Sequence, residues 1–127
     1  MPMPASIKIT TGPLVFRAEL NGSPTAEALK AMLPLDITMS RWGEEYYGDC
    51  GIRAELSADA REEMEVGELA VWPVGRALCI FFGPTPASRD DEPRAVSPVN
   101  PVGMITGDTA PLIQLGSTIR VRIERAE

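Results

Sequence analysis

One kind of chemically useful side chain is missing from this chain, and its absence narrows the rest. No histidine occurs among the 127 residues, which removes Ser-His-Asp and Cys-His catalysis, His-ligated zinc and the ordinary side chain that titrates near neutrality. Two cysteines, Cys50 and Cys79, cannot supply the four thiolates of a structural zinc site, so neither a metal nor a cofactor is expected. Cys79 lies in the apolar run from Ala77 to Phe82 and reads as a buried, reduced thiol. Cys50 stands beside Asp49, whose charge raises a thiol pKa rather than activating it. Arginine, carboxylates, aromatic surfaces and backbone groups remain.

Arg41 is the first of these. Its planar fork suits a carbonyl or carboxylate, and it is the candidate catalytic electrophile; a stack on Trp42 or a pair with Glu44 or Glu45 uses the same group structurally. Glu44 and Glu45 are adjacent, so on a strand they point to opposite faces and do not form a catalytic pair with each other. One of them can enter a cleft, and Glu45 is taken as the candidate. Phe81 and Phe82 are divided in the same way, one facing the core and the other available to an apolar pocket. Thr85, Arg94 and Asn100 bring hydrogen-bonding groups from a proline-rich segment, where they hold either a small ligand or one another. Trp42, Glu45, Phe81, Phe82, Thr85, Arg94 and Asn100 are therefore the candidate ligand contacts around Arg41.

The elements that must position these residues are mostly strands. Leu14, Phe16, Ala18 and Leu20 alternate with polar or exposed positions, and with Ile7 to Thr10 across Thr11-Gly12-Pro13 they predict a hairpin. Ser23 and Pro24 are suited to start a helix that Pro34 stops, with Ala26, Leu29, Met32 and Leu33 on its apolar face. Further strands are expected at Leu35 to Met39, at Glu44 to Tyr47 paired with Ile52 to Leu56, and at Leu69 to Trp72 paired with Ala77 to Phe82. Ser57 to Met64 reads as a polar, helix-tolerant connection. Five prolines between Gly83 and Pro101 predict a long surface loop, followed by strands at Val102 to Thr106 and Ile119 to Ile123. The fold class is mainly β, a closed ring of about eight strands with one clear α-helix, and a two-sheet sandwich is the alternative.

The balance of 18 acidic against 12 basic residues, a formal charge of −6, disfavours nucleic acid and anionic membranes as partners. No apolar run approaches the roughly 20 residues of a membrane-spanning helix. The N-terminal Met-Pro-Met-Pro segment lacks the apolar stretch of a secretory leader, and a cytoplasmic location is the expectation. The chain is of single-domain size, so residues 1–127 are read as one domain.

Several motifs resemble those of a known family. Val15-Phe16-Arg17-Ala18-Glu19-Leu20 followed by Pro24-Thr25-Ala26 resembles the opening of cyclophilins. Arg41-Trp42-Gly43-Glu44-Glu45, Gly67-Glu68-Leu69-Ala70, Trp72-Pro73, Phe81-Phe82-Gly83-Pro84-Thr85-Pro86 and Ser97-Pro98-Val99-Asn100 resemble the small cyclophilin-like proteins of bacteria and archaea. The resemblance implies a minimal cyclophilin-like β-barrel. It places Arg41 where cyclophilins carry their electrophilic arginine, and Phe81-Phe82 where they carry a proline pocket. The pocket histidine and the glutamine-bearing Gln-Gly-Gly segment have no counterpart. The functional expectation is a binding module for a short peptide or small polar molecule. Peptidyl-prolyl isomerisation is the alternative, and an accessory role in amide or lactam metabolism is a weaker one resting on fold analogy.

Overall fold

In the computed structural model, which describes residues 5–126, apolar alternation closes a ring of strands. The reading of the N-terminal Met-Pro-Met-Pro segment lies outside the described residues. Strands β1 (Ser6–Thr11) and β2 (Leu14–Leu20) form the predicted hairpin, turned at Gly12 with a φ of 54° that glycine adopts without strain. Helix α1 (Pro24–Met32) begins as its residues dictate: Pro24 occupies the first turn and the Ser23 hydroxyl accepts from the Ala26 amide at 3.2 Å. Thr25, Ala26 and Leu29 are buried, whereas Met32, expected on the apolar face, is 40% exposed. Strands β3 (Leu35–Arg41), β4 (Glu45–Asp49), β5 (Arg61–Glu63), β6 (Glu68–Trp72), β7 (Ala77–Phe81), β8 (Arg94–Ile105) and β9 (Thr118–Arg125) follow.

The strands pair in the order β2-β1-β9-β3-β4-β7-β6-β8, and a further β2–β8 pairing joins the two ends of this series. The N-terminal hairpin pairs with the C-terminal strand, with Ile9 opposite Ile123 and Thr10 opposite Arg122. Joining the ends leaves no unpaired edge among these eight strands. One face of each strand points inward. Ile7, Ile9, Phe16, Leu20, Ile37, Met39, Tyr46, Leu69, Leu78, Ile80, Phe82, Val121 and Ile123 form one buried cluster with Ala26 and Leu29 of α1.

Three expectations need correction. Arg94 to Pro101 is not loop: it is the first part of the long strand β8, and the loop ends at Pro93. Prolines are tolerated because both sit at register shifts, Pro101 against β6 and Pro98 against β5, where the ladder is already irregular. Ile52 to Leu56 does not pair with β4, whose neighbours are β3 and β7. The Ser57 to Met64 segment contains no helix and supplies β5, which pairs with the first half of β8.

This last pairing matters for the site. β5 and the first half of β8 cover the outer face of β6 and β7, making a second, smaller apolar cluster of Met64, Ala70, Cys79, Phe81, Ala95 and Val99, with Trp72 packed against it. Burial on both faces is why β7 reads Ala-Leu-Cys-Ile-Phe with no polar alternation.

Candidate functional site

Strand parity divides the aromatic and acidic candidates between two environments. Tyr46 and Phe82 point into the main core, their rings stacked with centroids 5.4 Å apart and an interplanar angle of 19°. Glu45, Tyr47, Cys79 and Phe81 belong to the opposite, outer face of the β4–β7 pair, in which Glu45 is opposite Phe81 and Tyr47 opposite Cys79. Phe81 is thus the outward residue of the phenylalanine pair, and it is sealed in the second cluster.

Beside that cluster lies a pocket of about 220 Å³ lined by Trp42, Glu45, Tyr47, Trp72, Cys79, Ala95, Val96 and Val99. The β3–β4 turn brings Trp42 and Glu45 there, and its shape is fixed by the loop after β7. The Glu44 amide donates to the Pro84 carbonyl at 2.8 Å, and the Phe82 amide donates to the Glu44 carbonyl at 2.9 Å. Gly43, at a φ of 61°, lies so close to Thr85 and Pro86 that a Cβ would meet each at 2.8 Å. The Arg-Trp-Gly-Glu-Glu and Phe-Phe-Gly-Pro-Thr-Pro motifs are therefore two sides of one packed junction.

Glu45 is the unusual member. It is only 5% exposed, and its Oε1 is the single buried side-chain polar atom without a hydrogen-bond partner among the described residues. Burial pushes its carboxyl from 4.5 up to about 7, and a hydrogen bond from the neighbouring Cys79 thiol acts in the other direction. The Cys79 thiol is itself pushed well up by burial and by the Glu45 charge. The other buried glutamate, Glu68, shows what a structural carboxylate looks like here. Both its oxygens bond to the Arg61 guanidinium, and it also accepts from the Glu65 amide at 3.0 Å. Among the described residues Glu45 has no such cation.

The remaining candidates are not gathered around one cleft. Arg41 donates from Nε to the Gly43 carbonyl at 2.8 Å and from Nη1 to the carbonyls of Ile113 and Leu115 at 3.0 and 2.9 Å. Its guanidinium carbon lies 5.1 Å from the Phe82 ring centroid and 5.8 Å from that of Tyr46. It thereby ties the 3-10 turn Ala110–Gln114, which the sequence reading missed, to the end of the ring. Thr85 and Arg94 belong to a network that holds the loop before β8, and Arg94 extends it to Glu62 and Glu63 of β5. The Thr85 hydroxyl donates to the Arg94 carbonyl at 2.5 Å, and the Glu92 carboxylate accepts from Arg94 Nε and from the amides of Arg89 and Asp90, each at 2.9 Å. Those donors hold the Glu92 carboxyl down at about 2. Asn100 lies at another place again, donating to Thr25 Oγ1 and the Glu55 carbonyl and accepting from the Ser57 amide.

Of the sequence candidates, Trp42 and Glu45 line the pocket and Phe81 packs beneath it. Tyr47, Trp72, Cys79, Ala95, Val96 and Val99 were not proposed as ligand contacts. Strand parity alone would have placed Tyr47 with Glu45, whereas Cys79 joins them only through the β4–β7 register, and the Ala95 to Val99 contribution was hidden by reading that segment as loop.

Against known proteins, a family model described as Cyclophilin-like matches residues 5–124. The chain belongs to that family. It is also similar to a hypothetical protein from Archaeoglobus fulgidus known from its solution structure, at 30% identity and a TM-score of 0.82 over 99% of this chain and 98% of that one. No curated protein matches the chain.

Proposed function

We propose that the protein is a binding module for a small, largely apolar molecule carrying one hydrogen-bonding group, held in the outer pocket between β4, β7 and β8. The observation that carries this reading is Glu45, a buried carboxyl with an unpartnered oxygen in the wall of an otherwise apolar pocket. Leaving such a group unsatisfied costs on the order of 1–3 kcal/mol, and that cost is a common mark of a functional position. The size fits: an apolar cavity of about 150 Å³ is enough to hold benzene, and this pocket is about 220 Å³. Three aromatic residues, Trp42, Tyr47 and Trp72, supply contact area, and one polar group fixes orientation, the usual composition of a small-molecule site.

This reading is preferred to prolyl isomerisation because three of the five Arg41 N–H donors are engaged by carbonyls and the guanidinium packs on inward-facing rings. Its test is a thermal-shift screen of small organic molecules on the wild type and on Val96→Trp. Val96 is 60% exposed at the pocket, so the larger ring fills the site without entering the core. Ligands that raise the wild-type melting temperature and lose that effect in the variant support the reading. Hits that stabilise both proteins equally contradict it.

A further inference from the structure

We propose that the pocket is selective for a small organic cation, a hydrocarbon body about the size of one ring bearing a protonated nitrogen that donates to Glu45 among Trp42, Tyr47 and Trp72. This rests on the reading of the pocket as a ligand site and names the charge class it takes.

Four kinds of ligand can be compared against the same wall. An anion would face a buried carboxylate with no basic side chain among the lining residues. A hydrocarbon would leave Glu45 Oε1 without its hydrogen bond. A neutral alcohol or amide would supply the bond but leave the carboxylate charge uncompensated away from water. An ammonium supplies both, as Arg61 does for Glu68. The aromatic residues favour the same choice, because the negative face of a π-system attracts a cation and does so most when water is excluded. Trp72 Nε1 already donates to Ser97 Oγ at 2.7 Å, so this indole has no N–H left to attract an anion. The surface is also suited to cations, with a formal charge of −6 steering them in.

The groups facing Glu45 across the pocket are Cys79 from β7 and Tyr47 from its own strand, while β6 and β8 contribute Trp72, Ala95, Val96 and Val99, none of them ionisable. No charged neighbour contributes to holding the carboxyl at about 7. An arriving ammonium is therefore the group that would bring it down, and binding below neutrality releases a proton.

The test uses three probes of one shape: benzylammonium, benzyl alcohol and benzoate, each titrated calorimetrically into the full chain at pH 8, with wild type, Glu45→Gln and Val96→Trp. The expected result is benzylammonium binding at least about tenfold more tightly than the alcohol, with benzoate weakest. Glu45→Gln should erase the preference while keeping the alcohol, and Val96→Trp should remove all binding. Alcohol or benzoate binding as tightly as the cation, or a preference that survives in a folded Glu45→Gln, overturns the charge inference alone. Failure of all three probes on the wild type overturns the inference together with the pocket reading on which it rests.

Discussion

Glu45 and Cys79 lie diagonally across the outer face of the β4–β7 ladder, two residues apart in register, and they act on each other in opposite senses: the Glu45 charge raises the thiol, whereas the hydrogen bond from the thiol lowers the carboxyl. The thiol is raised by burial first and then by the carboxylate charge, while the carboxyl is raised by burial almost alone. The pair is thus desolvated beneath an apolar pocket, and the carboxyl, at about 7, is largely ionised by pH 8. Its chemistry appears only when something supplies the missing partner.

Stability should record this directly. With a folded pKa of about 7 against 4.5 when exposed, the folded state binds a proton more tightly than the unfolded chain. Stability from this group is therefore greatest below about 4.5, falls as pH rises to about 7, and is level above, a change on the order of 3 kcal/mol. Urea unfolding of wild type and Glu45→Gln at pH 5 and pH 8 should show the variant gaining most of that amount, about 2.5 kcal/mol, relative to wild type at the higher pH. A difference independent of pH would place the carboxyl in a solvated setting.

Both cysteines are free and buried, and burial raises both thiols, so neither should react with a disulfide reagent at pH 7.5 while the protein is folded. Unfolding in denaturant without reductant should expose two thiols per chain. Rapid modification of Cys79 in the native protein would show that β7 is not sealed by β5 and β8.

Arg41→Ala should lower stability by about 2 kcal/mol, through lost hydrogen bonds to the carbonyls of Gly43, Ile113 and Leu115. In an isomerisation assay on short Xaa-Pro peptides, wild type and variant should give the same rate as buffer. Robust catalysis by the wild type that disappears in a folded Arg41→Ala would return the arginine to an electrophilic role.

The ring was legible because alternation, turn residues and helix caps act locally: Leu14 to Leu20 and Leu35 to Met39 show their faces in the sequence itself. Arg94 to Pro101 was misread because its prolines argue against a ladder, and only the tertiary register shifts against β5 and β6 remove that objection. The site was half legible for the same reason. Trp42 and Glu45 sit in a motif that draws notice, whereas Cys79 and Val99 reach the pocket only through strands distant in sequence. Whether Phe81 or Phe82 faces inward depends on the β4–β7 register, which no local pattern encodes.

Asn100 tests the structural reading of a residue first considered for ligand contact. Replacing it with Ala removes its bonds to Thr25, Glu55 and Ser57, and the expected cost is about 2 kcal/mol with faster hydrogen exchange at the Ser57 amide. Ligand binding in the outer pocket should be unchanged. Loss of binding in a variant of normal stability would extend the site to this distant asparagine.

The two tryptophans of the chain both line the pocket, so two indole N–H resonances report on its occupancy without any label beyond nitrogen-15. Titrating benzylammonium at pH 8 and following both resonances, with the backbone amides of Glu45 and Val96 as companions, tests the central claim most directly. The account predicts that both indole signals shift along one saturable curve and that Glu45→Gln weakens that curve. Unmoved indoles, or shifts confined to the surroundings of Arg41 and Phe82, would contradict it.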